Sequence, residues 1–277
     1  MKHKEGHFKV VRDSQLYFQA WLPDDEIKAG IIIVHGLGEH SGRYNNVVNH
    51  LVPQGYALYG FDQIGHGKSE GEREFVKGFE DYTDSLTVYL AMIREWLLEK
   101  PVFLLGHSMG GLIATYYLLD HADAFRGAII SAPLITVPDN INQGTVIATK
   151  ILSKLAPKMG MMQLDANHIS RDSEVVQEYK NDPLVFHRKT PVRVMAEMLK
   201  AMIRVDEDMV QISTPIVLVQ GGADKLVDPI GAKTLYERVN SKDKTLKLYD
   251  GLYHEIFNEP ERAQVLQDVA NWLDAHI

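Results

Sequence analysis

The chain has 277 residues, 45% of them hydrophobic, with a formal net charge of −8 at pH 7 and no cysteine. That length holds one large α/β domain or a domain with an insertion, and the apolar content is ample for a core. The acidic balance argues against a nucleic-acid surface, which needs a basic stripe, and zero cysteine excludes disulfides, thiolate chemistry and cysteine-ligated metal.

The segment Met1 to His7 is charged with no apolar run behind it, so it does not read as a signal peptide. No stretch approaches the ~18 apolar residues of a membrane span. A cytoplasmic protein is expected, with peripheral contact at a membrane surface. His3 and His7 lie in what reads as a disordered terminus without a third ligand, so no metal is expected. Residues 7–22 alternate around Arg12-Asp13-Ser14-Gln15, which predicts an antiparallel hairpin carrying Phe8, Val10, Leu16, Phe18 and Ala20.

The later strands are short, continuous apolar runs, the mark of parallel strands buried on both faces. They are Ala29–Val34, Tyr56–Phe61, Val102–Leu105, Ala128–Ser131, Ile216–Val219 and Leu246–Tyr249. Helical patterns separate most of them. Phe79, Tyr82, Leu86, Tyr89, Leu90, Ile93 and Leu97 share one face, and Val265, Val269 and Leu273 form a stripe near the end. Asp228-Pro229 reads as a helix start. The alternation predicts a mostly parallel eight-stranded sheet with helices on both faces and its first two strands antiparallel.

Between Pro133 and Pro215 no strand pattern is evident. Ile147, Ile151 and Leu155 share one helical face, and Val194, Met198 and Ile203 lie on another. A bare loop of this length is foreign to a compact domain. We expect a helical cap at 136–205, inserted over the carboxyl edge of a core formed by 1–135 and 206–277. The cap holds Met159, Met161, Met162, Met195, Met198 and Met202. These suit a surface for variable alkyl chains, or simple packing of cap on core.

Residues 101–120 carry the strongest functional signal. An apolar run ends at Gly106-His107-Ser108-Met109-Gly110, and a helical pattern with Leu112, Tyr116 and Leu119 begins at once. Strand, sharp turn and helix give G-x-S-x-G its meaning as a nucleophile elbow. Gly67-Lys68-Ser69-Glu70-Gly71 fits the same string but lacks the adjoining strand and helix, so Ser69 reads as a loop residue.

A serine hydroxyl needs a base, and the base needs an orienting group. Where the elbow carries the serine, chain order runs Ser, then Asp or Glu, then His. Of twelve histidines only His254 and His276 follow the late strand at 216–219, and His276 ends a terminal helix. His254 is therefore the expected base. Asp224 is the expected acid, with Asp228 as the rival that fits better as a helix cap. Oxyanion donors are expected from the backbone N–H groups of Met109 and of Leu37, the latter in the glycine-flanked loop after Ala29–Val34. His35 is expected in a structural role, shaping that loop or simply buried and hydrogen-bonded.

His35-Gly36-Leu37-Gly38-Glu39-His40-Ser41-Gly42-Arg43-Tyr44 closely resembles the oxyanion loop of monoglyceride lipases and related lysophospholipases. The resemblance extends to Asp62–Gly71, Gly106–Gly111, Asn181-Asp182-Pro183-Leu184, Gln220–Asp224 and Tyr253-His254, and so to most of the chain. It implies an α/β-hydrolase fold and hydrolysis of a monoacylglycerol through an acyl-enzyme on Ser108, with no cofactor. It places Glu39, Arg43 and Tyr179 where they could line the leaving-group side. The alternative is a loop-stabilising Glu39–Arg43 ion pair and a surface tyrosine. A lysophospholipase or broad carboxylesterase would use the same triad, and a non-catalytic binding protein of the same fold is the remote alternative. The expected partner is a lipid ester, reached at a membrane or micelle through apolar faces between Ile141 and Leu164. The net negative charge argues against strong attraction to anionic lipid.

Overall fold

The computed structural model describes residues 1–10, 13–137 and 143–277. In chain order the elements are β1 (Lys2–Lys9), β2 (Gln15–Leu22), β3 (Ala29–Val34), α1 (Asn45–Leu51), β4 (Tyr56–Phe61) and α2 (Glu80–Leu97). Then come β5 (Val102–His107), α3 (Met109–Asp120), β6 (Gly127–Ser131), α4 (Gln143–Leu155), β7 (Gly160–Met162) and α5 (Ser173–Asn181). The chain closes with β8 (Thr190–Pro191), α6 (Val192–Asp208), β9 (Ile216–Gly221), α7 (Ile230–Arg238), β10 (Lys244–Tyr249) and α8 (Arg262–Asp274).

Eight strands form one sheet in the order β1-β2-β4-β3-β5-β6-β9-β10. β1 and β2 pair antiparallel, as do β2 and β4, and every other pair is parallel. The expected α/β-hydrolase sheet is therefore present. Strands β3 to β6 and β9 are buried along their whole length, which explains why they read as unbroken apolar runs. The register pairs Val34 with Gly106, His107 with Ser131, and Ser131 with Val219. The loops after β3, β5, β9 and β10 thus leave the sheet at one edge.

Two expectations need correction. The terminus is not disordered: Lys2 to Lys9 pair residue by residue with Leu22 to Gln15. His3 stacks on Trp21 at 5.5 Å and bonds the Gln19 side chain at 3.1 Å. The hairpin expected at residues 7–22 thus begins earlier, at Lys2, where an exposed edge strand that buries only Phe8 shows no apolar pattern. The 136–205 segment also holds strands, since β7 pairs with β8. Elements of three and two residues are too short to show a period. Of the predicted turn, Arg12 lies outside the described residues, as does Ile141.

Helix α3 is buried from Met109 to Leu119, between β5 on one side and α6 on the other. Val194, Met198, Ala201, Met202 and Val205 of α6 join the same apolar cluster as Leu112 and Tyr116. The methionines divide accordingly. Met198 and Met202 are core, whereas Met159, Met161 and Met162 are exposed. Ile147, Ile151 and Leu155 on α4 are exposed as well. Among the described residues no helix is long and apolar enough to cross a membrane.

Candidate active site

The β5–α3 junction is tight because two glycines allow it. A Cβ on Gly110 would lie 1.9 Å from the Val34 carbonyl oxygen, and one on Gly106 would lie 2.4 Å from the Gly110 oxygen. Ser108, between them, takes φ 57° and ψ −118°. A residue with a Cβ is strained there, and such strain persists only where the surroundings enforce it. The Ser108 N–H donates to the Ser131 oxygen at 3.0 Å, and its carbonyl accepts from Leu112 and Leu134. The hydroxyl is left at the head of α3, half-buried, with no hydrogen bond among the described residues.

Asp224 and His254 meet directly. Asp224 Oδ2 lies 2.8 Å from His254 Nδ1. Its Oδ1 accepts from the N–H groups of Leu226 and Val227 at 2.9 and 3.0 Å. Gln220 Nε2 donates to Oδ2 at 3.1 Å. Burial alone would raise this carboxyl, but the His254 contact and the two backbone donors outweigh it and hold the pKa below the ordinary value. Asp228 is turned elsewhere and accepts the Ile230 N–H at the head of α7. His276 bonds Asp243 and the Trp272 carbonyl. Ser69 sits in a loop, donating to the Asp62 carbonyl and accepting from the Tyr17 N–H.

His107 links the two halves of the site. It precedes Ser108, its ring lies 4.7 Å from the His254 ring, and its Nδ1 lies 3.1 Å from Ser131 Oγ. Burial lowers its pKa to about 4, so it is neutral at working pH. The structure thus joins Asp224 to His254 and sets His107, the residue before Ser108, against the His254 ring, without a bond from Ser108 Oγ to that ring. Such bonds are often long without substrate and tighten around it.

The glycine-flanked loop after β3 is held from behind. His35 is buried and its pKa lowered by that burial. Its Nε2 accepts the Gln63 N–H at 2.8 Å, so Nδ1 carries the proton and donates to the Gly36 carbonyl at 2.8 Å. The N–H groups of Leu37 and Met109 have no acceptor among the described residues.

Glu39, Arg43 and Tyr179 form one cluster. Glu39 Oε1 accepts from Gly36 N–H at 2.6 Å and Tyr44 O–H at 3.0 Å, and Oε2 faces Arg43 at 3.3 Å. The Tyr179 ring centroid lies 4.7 Å from the Arg43 guanidinium carbon. Tyr179 is only 4% exposed, so the surface-tyrosine alternative is corrected, while the Glu39–Arg43 pair exists. The sequence reading missed Glu255, Gln220 and the role of His107. Arg43 grips Glu255 with both terminal nitrogens, at 2.5 and 2.8 Å. Burial would raise the Glu255 carboxyl, but the Arg43 charge dominates and holds it well below the ordinary value. Among the described residues no cluster of His, Asp and Glu is arranged to hold a metal.

The family whose model is described as "Serine aminopeptidase, S33" matches residues 25–261. A monoacylglycerol lipase of Mycolicibacterium smegmatis is 34% identical over 277 residues, covering 99% of this chain and 98% of that protein. The chain belongs to the monoglyceride lipase family of α/β-hydrolases. This family member is also 33% identical to a Bacillus subtilis phospholipase, over 93% of its own length and 99% of the other's. A solved monoacylglycerol lipase of Paleococcus ferrophilus superposes with a TM-score of 0.83 at 29% identity, covering 100% of both chains. The monoglyceride lipase family member described here is a carboxylic ester hydrolase.

Proposed function

We propose that the protein hydrolyses a monoacylglycerol to a fatty acid and glycerol. Ser108 Oγ attacks the ester carbonyl while His254 Nε2 takes its proton, and Asp224 holds the imidazole by Nδ1 and stabilises the imidazolium. The carbonyl oxygen becomes an oxyanion facing the Leu37 and Met109 N–H groups. As the tetrahedral intermediate collapses, the C–O bond to glycerol breaks and His254 returns the proton to the leaving oxygen. A water, deprotonated by the same imidazole, then releases the fatty acid and restores Ser108. The observation that carries this reading is the Asp224–His254 bond at the sheet edge where Ser108 is held in a strained turn.

On this reading residues 136–205 are a cap over the site, and its outer face meets the lipid. Ile147, Ile151 and Leu155 stand exposed one helical turn apart on α4, with exposed Met159, Met161 and Met162 beyond them. Lys150 and Lys154 flank that face, and no acidic residue lies between 143 and 164. The overall charge of −8 therefore does not describe this surface. Lysophospholipid hydrolysis is the second reading, favoured by the phospholipase relative. A panel of monoacylglycerols, diacylglycerols, lysophospholipids and p-nitrophenyl esters of graded acyl length tests both. Highest kcat/KM on monoacylglycerols is expected, and a preference for lysophospholipids overturns the reading.

A further inference from the structure

The peptide that follows His254 is held by a residue of the proposed cap. The Glu255 N–H donates to the Ile169 carbonyl at 2.7 Å, and the His254 carbonyl accepts from the Ile256 N–H at 3.0 Å. These two groups are the ends of one planar trans peptide, so the Ile169 carbonyl fixes the backbone direction at His254. Two residues on, the Arg171 N–H donates to Glu259 Oε1 at 2.8 Å and its Nε–H donates to Oε2 at 2.6 Å, while Nη2 reaches Glu261. Between them, Ser170 Oγ donates to the Asn258 carbonyl at 3.2 Å. Residues 169–171 therefore run along residues 255–259 and bond to them at each step.

Glu259 is fully buried, and a buried carboxylate persists only when it is paired and hydrogen-bonded. Arg171 supplies both the charge and the donors, from a side chain that is 33% exposed. The same stretch also reaches the loop of the acid. Ile169, Val176, Tyr179 and Val185 form one apolar cluster, and Leu226 packs against it. Leu226 is the residue whose N–H donates to Asp224 Oδ1. Resting on the proposed roles of Asp224 and His254, we infer that Arg171 is a positioning residue for the base. By gripping Glu259 it keeps residues 169–171 seated on the His254 loop, and so keeps His254 Nδ1 at Asp224. The cap is then part of the catalytic frame as well as a cover over the substrate.

The test assays Arg171→Gln and Glu259→Gln on p-nitrophenyl butyrate, a small soluble ester. Each should lower kcat by about 10–10², with KM changed less than about threefold, the size of effect expected when a catalytic group shifts by about an ångström. The acid limb of kcat/KM follows the His254 pKa. It should move to lower pH by about half a unit or more, because an imidazolium held less closely to Asp224 is less stabilised. The position of that limb does not depend on how much of a preparation is folded, so a folding defect leaves it in place. The double variant should lose at most about twofold more than the worse single one, because the two residues act as a pair. Arg204→Gln removes a different contact of the proposed cap with the core, to Asp120 at 2.6 Å, at the far end of α3 from Ser108. It should keep kcat within about twofold and leave the limb unmoved. An unmoved limb in both Arg171→Gln and Glu259→Gln overturns the positioning role. So does a loss in Arg204→Gln equal to theirs. Full activity of His254→Ala overturns instead the assignment of the base, on which this role rests.

Discussion

His35 Nδ1 donates to the Gly36 carbonyl at 2.8 Å, and that carbonyl shares one planar trans peptide with the Leu37 N–H. Holding one end of the plane aims the other in the opposite direction. His35 therefore orients the proposed oxyanion donor from behind, and its own ring is fixed by the Gln63 N–H.

His35→Ala should lower kcat on p-nitrophenyl butyrate by about 10–10², with KM changed less than about threefold, because a misaimed donor weakens the transition state more than the ground state. Steady-state kinetics with a thermal melt separates this from unfolding. An equal loss in binding of ground-state ester would contradict it.

Asp224→Asn should lower kcat by on the order of 10³–10⁴. The amide can still meet the Leu226 and Val227 donors through its oxygen, but its NH2 then faces His254 Nδ1 and favours the wrong tautomer. Activity within tenfold of wild type would move the acid elsewhere. Asp228, which caps α7, is the control that should stay active.

The elbow and the Asp224–His254 pair were legible because both are encoded locally. A buried strand, two glycines and an apolar helix surround Ser108, and chain order leaves one suitable histidine after β9. The rest is encoded across space. The Arg43–Glu255 pair joins residues 212 positions apart, so a carboxylate after His254 says nothing until the two loops meet. The hairpin at residues 7–22 was legible, but residues 2–6 of the edge strand β1 were not, because pairing with β2, rather than apolar burial, holds them. β7 and β8 were invisible because they are too short for a pattern.

Glu74 makes the stability pH-dependent. It is buried, Oε2 has no partner, and burial pushes its pKa up to about 8 despite the Thr190 hydroxyl and Arg73 nearby. Below the ordinary value of 4.5 both folded and unfolded chains hold the proton. Between 4.5 and about 8 only the folded chain holds it, so stability falls as pH rises through that window and levels off above it. Glu74→Gln removes this slope. Its Tm should gain on wild type by about 5 °C or more from pH 5 to pH 8, corresponding to a few kcal/mol. A gap that does not change with pH would contradict the burial argument.

Replacing both Ile147 and Ile151 with serine should lower activity on micellar monoacylglycerol about fivefold or more, and activity on monomeric short-chain ester less than twofold. Both side chains are over half exposed, at 57% and 53%, so the core loses little. Equal losses on the two substrates would assign the face to packing instead.

The central claim is that Ser108 is the nucleophile. A fluorophosphonate reacts with an activated serine and leaves a stable adduct, so peptide mapping after inhibition reads the claim directly. We predict one adduct per chain on the peptide containing Ser108, complete loss of esterase activity, and no labelling of Ser108→Ala. Stoichiometric labelling at another residue, or labelling that persists in Ser108→Ala, would contradict it.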